Sequence, residues 1–478
     1  MKLTKLALAV AATLVAGQAF AAPVTQANVV SARTAGTLQE VWLSGASAPT
    51  FNVFDSFARG CDANSVSIFT SNTAAGKPGG LGDFNAYACT RAGAVTVLYH
   101  TVSGGSFNAY APHMPASLGT APDGSAFPAV LQRVKNVGTA TCSGSGVYTP
   151  TNNPSYLTGG ATTIPVSFNC NRGTAAALAD SAPALPQGGF SDVEAKLWGY
   201  DVSAYGTESA TNVQQAFGIV VTTKLYRALQ VAQGIYASTA AADSADASFS
   251  PTNAPNITSA QYAAIVQNGG GYQTDWAPIL GAAGTGKNVN LVRRTGTSGT
   301  QASSNAFFLN NPCASGAPAG QTSPATVAQA SDTFTVTEQS GTSGVRTALT
   351  TINSHATQNF GLGVVSLENL PAAAYKYVKI DGVHPEAGDT TTARATMVNG
   401  SYKFVMEMNT FVPASAQGTY AETLIGEIAT GLGNPATCTD VGRGMALSPM
   451  GGSACEVGTF VAKGTKFGNN CAPMQLYY

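Results

Sequence analysis

The stretch NVNLVRRTGTSGTQASSNAFFL, residues 288–309, limits the fold more than any other part of the chain. An apolar run meets two arginines, passes through glycines and hydroxyls, and resumes with helical periodicity. Strand, small-residue loop and helix in that order form the repeating unit of α/β architecture. The same order recurs in LQEVWLSGASAPTFNVFDSFARGC, where Phe51, Phe54, Phe57 and Ala58 fall at helical spacing. AVTVLYHTV likewise runs into Ser103-Gly104-Gly105-Ser106. Further on, AFGIVVTTKLYRALQ reads as a buried strand followed by a helix or loop. FGLGVVSLENL, KYVKIDGVHPE and SYKFVMEMNTFV read as strands, and SGTSGVRTALTTI starts a helix. Capping boxes are predicted for Ser191 with Glu194, Thr258 with Gln261 and Ser298 with Gln301, and Asn268-Gly269 as a helix stop. GTSG occurs at 296–299 and again at 341–344, too short an echo for a repeat. The expected class is α/β with at least partly parallel sheets.

The first residues predict an exported chain. Lys2 and Lys5 precede an apolar run that exits through Ala19-Phe20-Ala21, the layout of a signal peptide spanning 1–21 and cleaved before Ala22. No later apolar run is long enough to span a bilayer, and no cysteine stands at the cleavage point to carry a lipid. A periplasmic or secreted protein is therefore expected, with residues 22–38 as a flexible start. Eight cysteines, at 61, 89, 142, 170, 313, 438, 455 and 471, read as disulfides in that compartment. Neighbours in sequence suggest Cys61 with Cys89, Cys142 with Cys170 and Cys455 with Cys471, leaving Cys313 for Cys438. They lack the close C-x-x-C spacing of a metal site.

About 455 mature residues imply more than one domain. A net charge of −1, with 10% charged residues and 53 glycines, gives no basic footprint for nucleic acid. Small molecules or proteins are the expected partners, with no cofactor. Residues 107–188 are rich in Pro, Gly, Ser, Thr and Asn and hold Cys142 and Cys170, which reads as an inserted loop region or a stapled β-hairpin. A second spacer covers about 313–333.

The loop of the opening stretch gathers three kinds of donor: N–H groups at a helix start, hydroxyls and a guanidinium. Their complement is an acceptor-rich anion. The loop lacks the lysine and spacing of the nucleotide P-loop. In open α/β sheets ligands lie beyond the carboxyl ends of strands, where this loop and those at 45–50 and 103–106 fall. The four histidines, 100, 113, 355 and 384, are scattered, and only His100 adjoins one of these loops.

The succession SGASAPTF, LYHTVSGGS, GGFSDVEAKLWG, AFGIVVTTKLY, ITSAQYAAIVQNGGGYQTDWAPI, VNLVRRTGTSGTQASSNAFFL, SGVRTAL, GLGVVSLENL and YKFVMEMNTFV resembles the phosphate-binding, PstS-like periplasmic solute-binding proteins of ABC transporters. The resemblance covers most of 40–106 and 187–413, and its most specific part is Arg-x-x-x-Ser-Gly-Thr. It implies a two-lobed periplasmic binding protein type 2 fold closing on a tetrahedral oxyanion, with disulfide-stapled insertions added and no chemical turnover. It also implies a monomer that hands phosphate to an ABC transporter permease. The lobes would be 38–215 with 405–478, and 216–404, with chain crossings near QQAFGIV and YKFVMEM.

Carried over by position, the resemblance makes Arg294 the guanidinium that grips the ligand, and Ser298, Gly299 and Thr300 the helix-start donors. Asp192 becomes the acceptor of the ligand's own proton, which hydrogen phosphate has and sulfate lacks. Thr50 stands in for a hydroxyl donor that aligns with Pro49, with Ser47 behind it, and either Ser103 or Ser106 supplies another. Three features depart from the family: Gly296 replaces an acidic residue that tunes the arginine, the connection from Ser106 to Asp192 is long, and the Cys-rich tail 437–478 has no counterpart. The other classes weighed are a secreted phosphatase-like hydrolase and an adhesive or structural protein that kept the fold without the pocket.

Overall fold

The computed structural model describes residues 22–73, 81–150, 154–174, 183–267, 275–313, 333–433, 441–448 and 463–477. The expected signal peptide, the Asn268-Gly269 stop, Cys438 and Cys455 lie outside these residues. The chain forms two compact units. One comprises Val41–Ser56, His100–Gln132 and Thr174–Tyr478; the other comprises Met1–Glu40, Phe57–Tyr99 and Arg133–Gly173.

The larger unit carries the strands that matter for the loop. They are β1 (Gln39–Gly45, from residue 41 onward), β2 (Gly188–Ser191), β3 (Gly206–Thr222), β4 (Val289–Arg294), β5 (Phe334–Gln339), β6 (Gly361–Ser366) and β7 (Val405–Pro413), in the spatial order β5-β4-β6-β3-β7-β2-β1. β4 is parallel to β5 and β6, and β1 is parallel to β2, whereas β3 is antiparallel to both β6 and β7. The sheet is therefore mixed. Strands β4, β6 and β7 are buried along their whole length; β6, GLGVVS, reads accordingly as an apolar run, whereas β7 reads as alternating and buries Glu407, Asn409 and Thr410 among its apolar residues.

β3 is the longest strand, and it changes partner midway. Residues 206–216 pair with β7, and residues 217–221 pair with β6. A register irregularity between Ala210 and Gln214 bends the first half, where Asn212 takes a left-handed conformation. Helix α1 (Gly299–Leu309) follows β4, and helix α2 (Thr342–Ser354) follows β5. α2 buries Val345 and Leu349, four residues apart on one face. α1 stops where Asn310 turns left-handed, a conformation Asn tolerates better than most residues. The Thr258–Gln261 capping box opens the helix Ser259–Gln267, with Thr258 N donating to Gln261 Oε1 at 2.9 Å and Gln261 N to Thr258 Oγ1 at 3.1 Å.

In the smaller unit the strands run in the order Ala94–Thr101, Phe84–Arg91, Ser67–Thr70, Ile164–Phe168, Gly144–Tyr148. The last two form an antiparallel hairpin whose base is joined by Cys142–Cys170. Residues 22–38, expected to be flexible, contain the helix Gln26–Thr34, closed by a capping box between Thr25 and Asn28. Gln26 Nε2 anchors it to Val137 O at 2.6 Å and Ala140 O at 2.7 Å. Those acceptors lie more than a hundred residues away, which is why the local sequence reads as a tail.

Two expected disulfides are present, Cys61–Cys89 and Cys142–Cys170. The third bond joins Cys313 to Cys471, which overturns the pairings Cys455–Cys471 and Cys313–Cys438. Proximity in sequence fails here because residues 463–477 are drawn back onto β3 and β7. Among the described residues no helix is long and apolar enough to cross a membrane. Replacing both Cys61 and Cys89 by Ser opens a loop with a sequence separation of 28. Denaturant unfolding should show this unit weakened by about 3 kcal/mol, and an unchanged midpoint would contradict the bond's contribution.

Candidate functional site

The parallel strands of the larger unit send their carboxyl ends to two groups of loops, and these groups meet. Beyond β1 and β2 lie Ser47–Thr50 and Asp192; beyond β4, β5 and β6 lie 295–298, 340–341 and 367–369. The joint is Gly299, the first residue of α1. A Cβ added there would sit 2.5 Å from Ser106 Oγ and 2.6 Å from Asp192 Oδ2, so no larger residue fits without parting the segments. Gly105, in the left-handed region at φ +89°, allows an equally close approach, since its added Cβ would lie 2.8 Å from Thr297 O.

The turn before α1 is held through its carbonyls. Phe107 N donates to Thr297 O at 3.0 Å, and Trp198 Nε1 donates to Gly296 O at 2.8 Å. Gln301 N and Ala302 N both donate to Ser298 O at 3.0 Å, so the helix-start N–H groups open to a ligand are those of Gly299 and Thr300. An α-helix offers its first N–H groups no intrahelical acceptor. Ser298, at the N-cap, provides no side-chain cap either. The predicted Ser298–Gln301 capping box is thus absent: Gln301 Oε1 accepts from Arg294 N at 3.2 Å instead. The Ser191–Glu194 box is absent as well, because Ser191 ends β2 and its hydroxyl turns to Val193. Glu194 precedes a short 3-10 turn without capping it.

The two arginines take separate roles, as expected for neighbours on a strand whose side chains alternate between faces. Arg293 forms an ion pair with Glu338 on the adjacent strand β5, to which it is registered directly. Arg294 is buried at the end of β4; its Nη1 donates to Thr342 Oγ1 and its Nη2 to Ser340 O, each at 2.9 Å. The second GTSG segment thereby orients the fork that an acidic neighbour was expected to orient. Position 296 has no room for such a neighbour, since an added Cβ would collide with the Pro122 carbonyl from the 107–132 region.

Asp192 is only 5% exposed. Ser106 Oγ donates to its Oδ2 at 2.9 Å, while Oδ1 is buried and meets no hydrogen-bond donor among the described residues. Burial, first, and the nearby Glu368 carboxylate, second, push its pKa up from the ordinary 3.8 to about 7; the Ser106 bond and the Arg294 charge oppose them. Ser106 rather than Ser103 is therefore the serine beside the acid; Ser103 offers its carbonyl to Asn108 Nδ2 at 3.1 Å. Thr50 starts its helix beyond β1 with its hydroxyl given to Ser47 O at 2.6 Å. Ser298 and Thr300 are buried with Gly299 at the joint. Glu368, Ser340, Thr342 and Trp198 were not singled out from the sequence. The GTSG echo was the one available hint for Thr342.

No protein-family model and no curated protein matches the chain. Among solved structures it is similar, at 15% identity and a TM-score of 0.32, to a Clostridium perfringens protein described as a phosphate ABC transporter substrate-binding protein with bound phosphate. That match covers 51% of this chain and 72% of the other. An ABC-type phosphate transport receptor from Vibrio cholerae gives 14% identity, a TM-score of 0.29, and coverage of 51% and 73%. At TM-scores of this size the weight of a functional reading falls on the site itself.

The raised Asp192 value has a direct consequence. Between about pH 4 and pH 7 an unfolded chain has released this proton while the folded chain keeps it, so stability falls as pH rises through that window and levels off above it. The cost at the upper end is at most about 4 kcal/mol. Asp192→Asn should flatten this part of the thermal-stability profile and melt above the parent beyond about pH 7. Superimposable profiles would contradict the burial of an uncompensated carboxyl.

Proposed function

We propose that the chain is an exported solute-binding protein that captures hydrogen phosphate, or a close oxyanion relative, and passes it to a permease of the ABC class. The observation that carries this reading is the meeting of opposites at Gly299. Helix-start N–H groups, the Ser298 and Thr300 hydroxyls and the Arg294 guanidinium supply donors. Across from them stands a buried carboxyl whose Oδ1 has no donor among the described residues. Above about pH 7, where Asp192 is ionised, a fully ionised anion such as sulfate satisfies the donors but is repelled by the carboxylate. An anion with a proton of its own satisfies both sides.

The roles follow from the chemistry of each group. Arg294 neutralises charge with a planar fork, and α1 adds its N-terminal partial charge. Ser106 is one residue that can serve both partners, since a hydroxyl donates one proton and accepts others. Asp192 and Glu368 together make proton content the selective property of the ligand. In this reading 38–215 with 405–478 and 216–404 are the lobes, and β3 and β7 are the crossings between them. Nothing in the proposed binding step breaks or makes a covalent bond.

Isothermal calorimetry with inorganic phosphate and with sulfate tests the reading. At about pH 8, where Asp192 is ionised, phosphate should bind and sulfate should bind at least about a hundredfold more weakly. Arg294→Ala and Gly299→Ala should each abolish phosphate binding while keeping cooperative unfolding. Equal affinity for the two anions, or an Arg294→Ala protein that binds phosphate like the parent, would overturn it.

A further inference from the structure

The C-terminal segment 463–477 has no place in the anion-site chemistry described above, yet it is tied to that site from two sides. Strands Lys463–Thr465 and Gln475–Tyr477 pair with each other, and the turn between them lies on two buried carboxylates. Glu407, on β7, is 4% exposed; it accepts from Thr465 Oγ1, from Lys466 N at 2.9 Å and from Gly468 N. Glu194, 8% exposed, accepts from Asn470 N at 2.9 Å and from Asn470 Nδ2. Asn470 also exchanges bonds with the Glu407 backbone, accepting from its N at 2.7 Å and donating to its O at 3.0 Å. Gln214 of β3 donates to Gly464 O, and Leu476 fills the space above Gly400. Buried carboxylates are tolerated only with such donors, so these contacts are structural requirements of β7 and of the 192–194 segment.

The next residue makes the second tie. Cys471 is bonded to Cys313, four residues past the end of α1. The start of α1 is Gly299, pressed on Asp192 and Ser106. Asn470 and Cys471, adjacent in the chain, thus hold the acceptor side of the site through Glu194 and the donor side through α1.

We propose that residues 463–477 form a positioning strap, in which Asn470 anchors the Asp192 segment and Cys471 anchors the donor helix, fixing the spacing between the acceptor and donor halves of the anion site. The proposal rests on the anion-site reading for its ligand but not for its geometry. Asn470 is a positioning residue: it acts on Asp192 through Glu194 and touches no ligand. Without the strap, α1 and the 192–194 segment would move independently, water would enter beside Asp192, and the carboxyl would behave more like a solvated one.

The test follows Asp192 by carboxyl carbon-13 titration in the ligand-free full chain, alongside calorimetry with inorganic phosphate. The variants are Asn470→Ala and the double variant Cys313→Ser with Cys471→Ser. The variant Cys142→Ser with Cys170→Ser is the control for loss of a disulfide elsewhere. The strap predicts that the first two lower the Asp192 midpoint from about 7 by about one pH unit or more and weaken phosphate binding about tenfold or more, while the control leaves both unchanged. An unchanged Asp192 titration in folded Asn470→Ala or in the double variant overturns the proposal, as does an equal shift in the control. If Asn470→Ala fails to fold, the Cys313/Cys471 variant decides. If the parent itself binds no phosphate, the ligand reading fails and the titration alone decides the strap.

Discussion

The contact of a helix start with a buried carboxyl organises the larger unit. Donors and an acceptor that would each prefer water are brought together with only Gly299 between them, and each side removes hydration from the other. Such an arrangement is unfavourable without firm support. Support comes from behind: Trp198 and Phe107 grip the turn carbonyls, Ser340 and Thr342 grip the Arg294 fork, and Tyr110 reaches Glu208 at 2.5 Å, whose carboxylate also takes Ala195 N at 2.9 Å. The mixed sheet makes this convergence available. β4, β5 and β6 deliver one set of loops and the β1–β2 pair delivers the other, with the long strand β3 and its partner β7 joining the two sets.

Much of the framework was legible because it depends on short-range signals. The strand-loop-helix order around Arg294, the amphipathic α2, the Cys61–Cys89 and Cys142–Cys170 bonds and the Thr258–Gln261 box all involve partners close in sequence. The failures share the opposite cause. Gln301 has the right spacing to cap with Ser298, but the Arg294 backbone lies nearer in space and claims its oxygen. Ser191 has the right spacing for Glu194, but pairing of β2 with β1 and β7 keeps it in a strand. The capping box of Thr25 and Asn28 is hidden in the sequence, because a short polar segment looks like a tail until its anchors at Val137 and Ala140 are seen.

The candidate site divides in the same way. Arg294, Ser298, Gly299 and Thr300 belong to one contiguous motif and could be named together. Ser106 needed the fold to separate it from Ser103, and Asp192 gains its character from burial and from Glu368, neither of which a linear reading supplies. Gly296 shows how an insertion rewrites a motif: the Pro122 carbonyl fills the room an acidic side chain would need, and the fork-holding role passes to the segment after β5. Low charge content is consistent with this economy, since most orientation is done by carbonyls, hydroxyls and amides.

The proposed function requires one protonated oxyanion shared by Arg294, the start of α1 and Asp192. Crystals grown with arsenate, a phosphate analogue whose heavier central atom scatters anomalously, test it most directly. A single strong anomalous peak within hydrogen-bonding reach of all three groups is expected. A peak elsewhere on the molecule, or none, would contradict it.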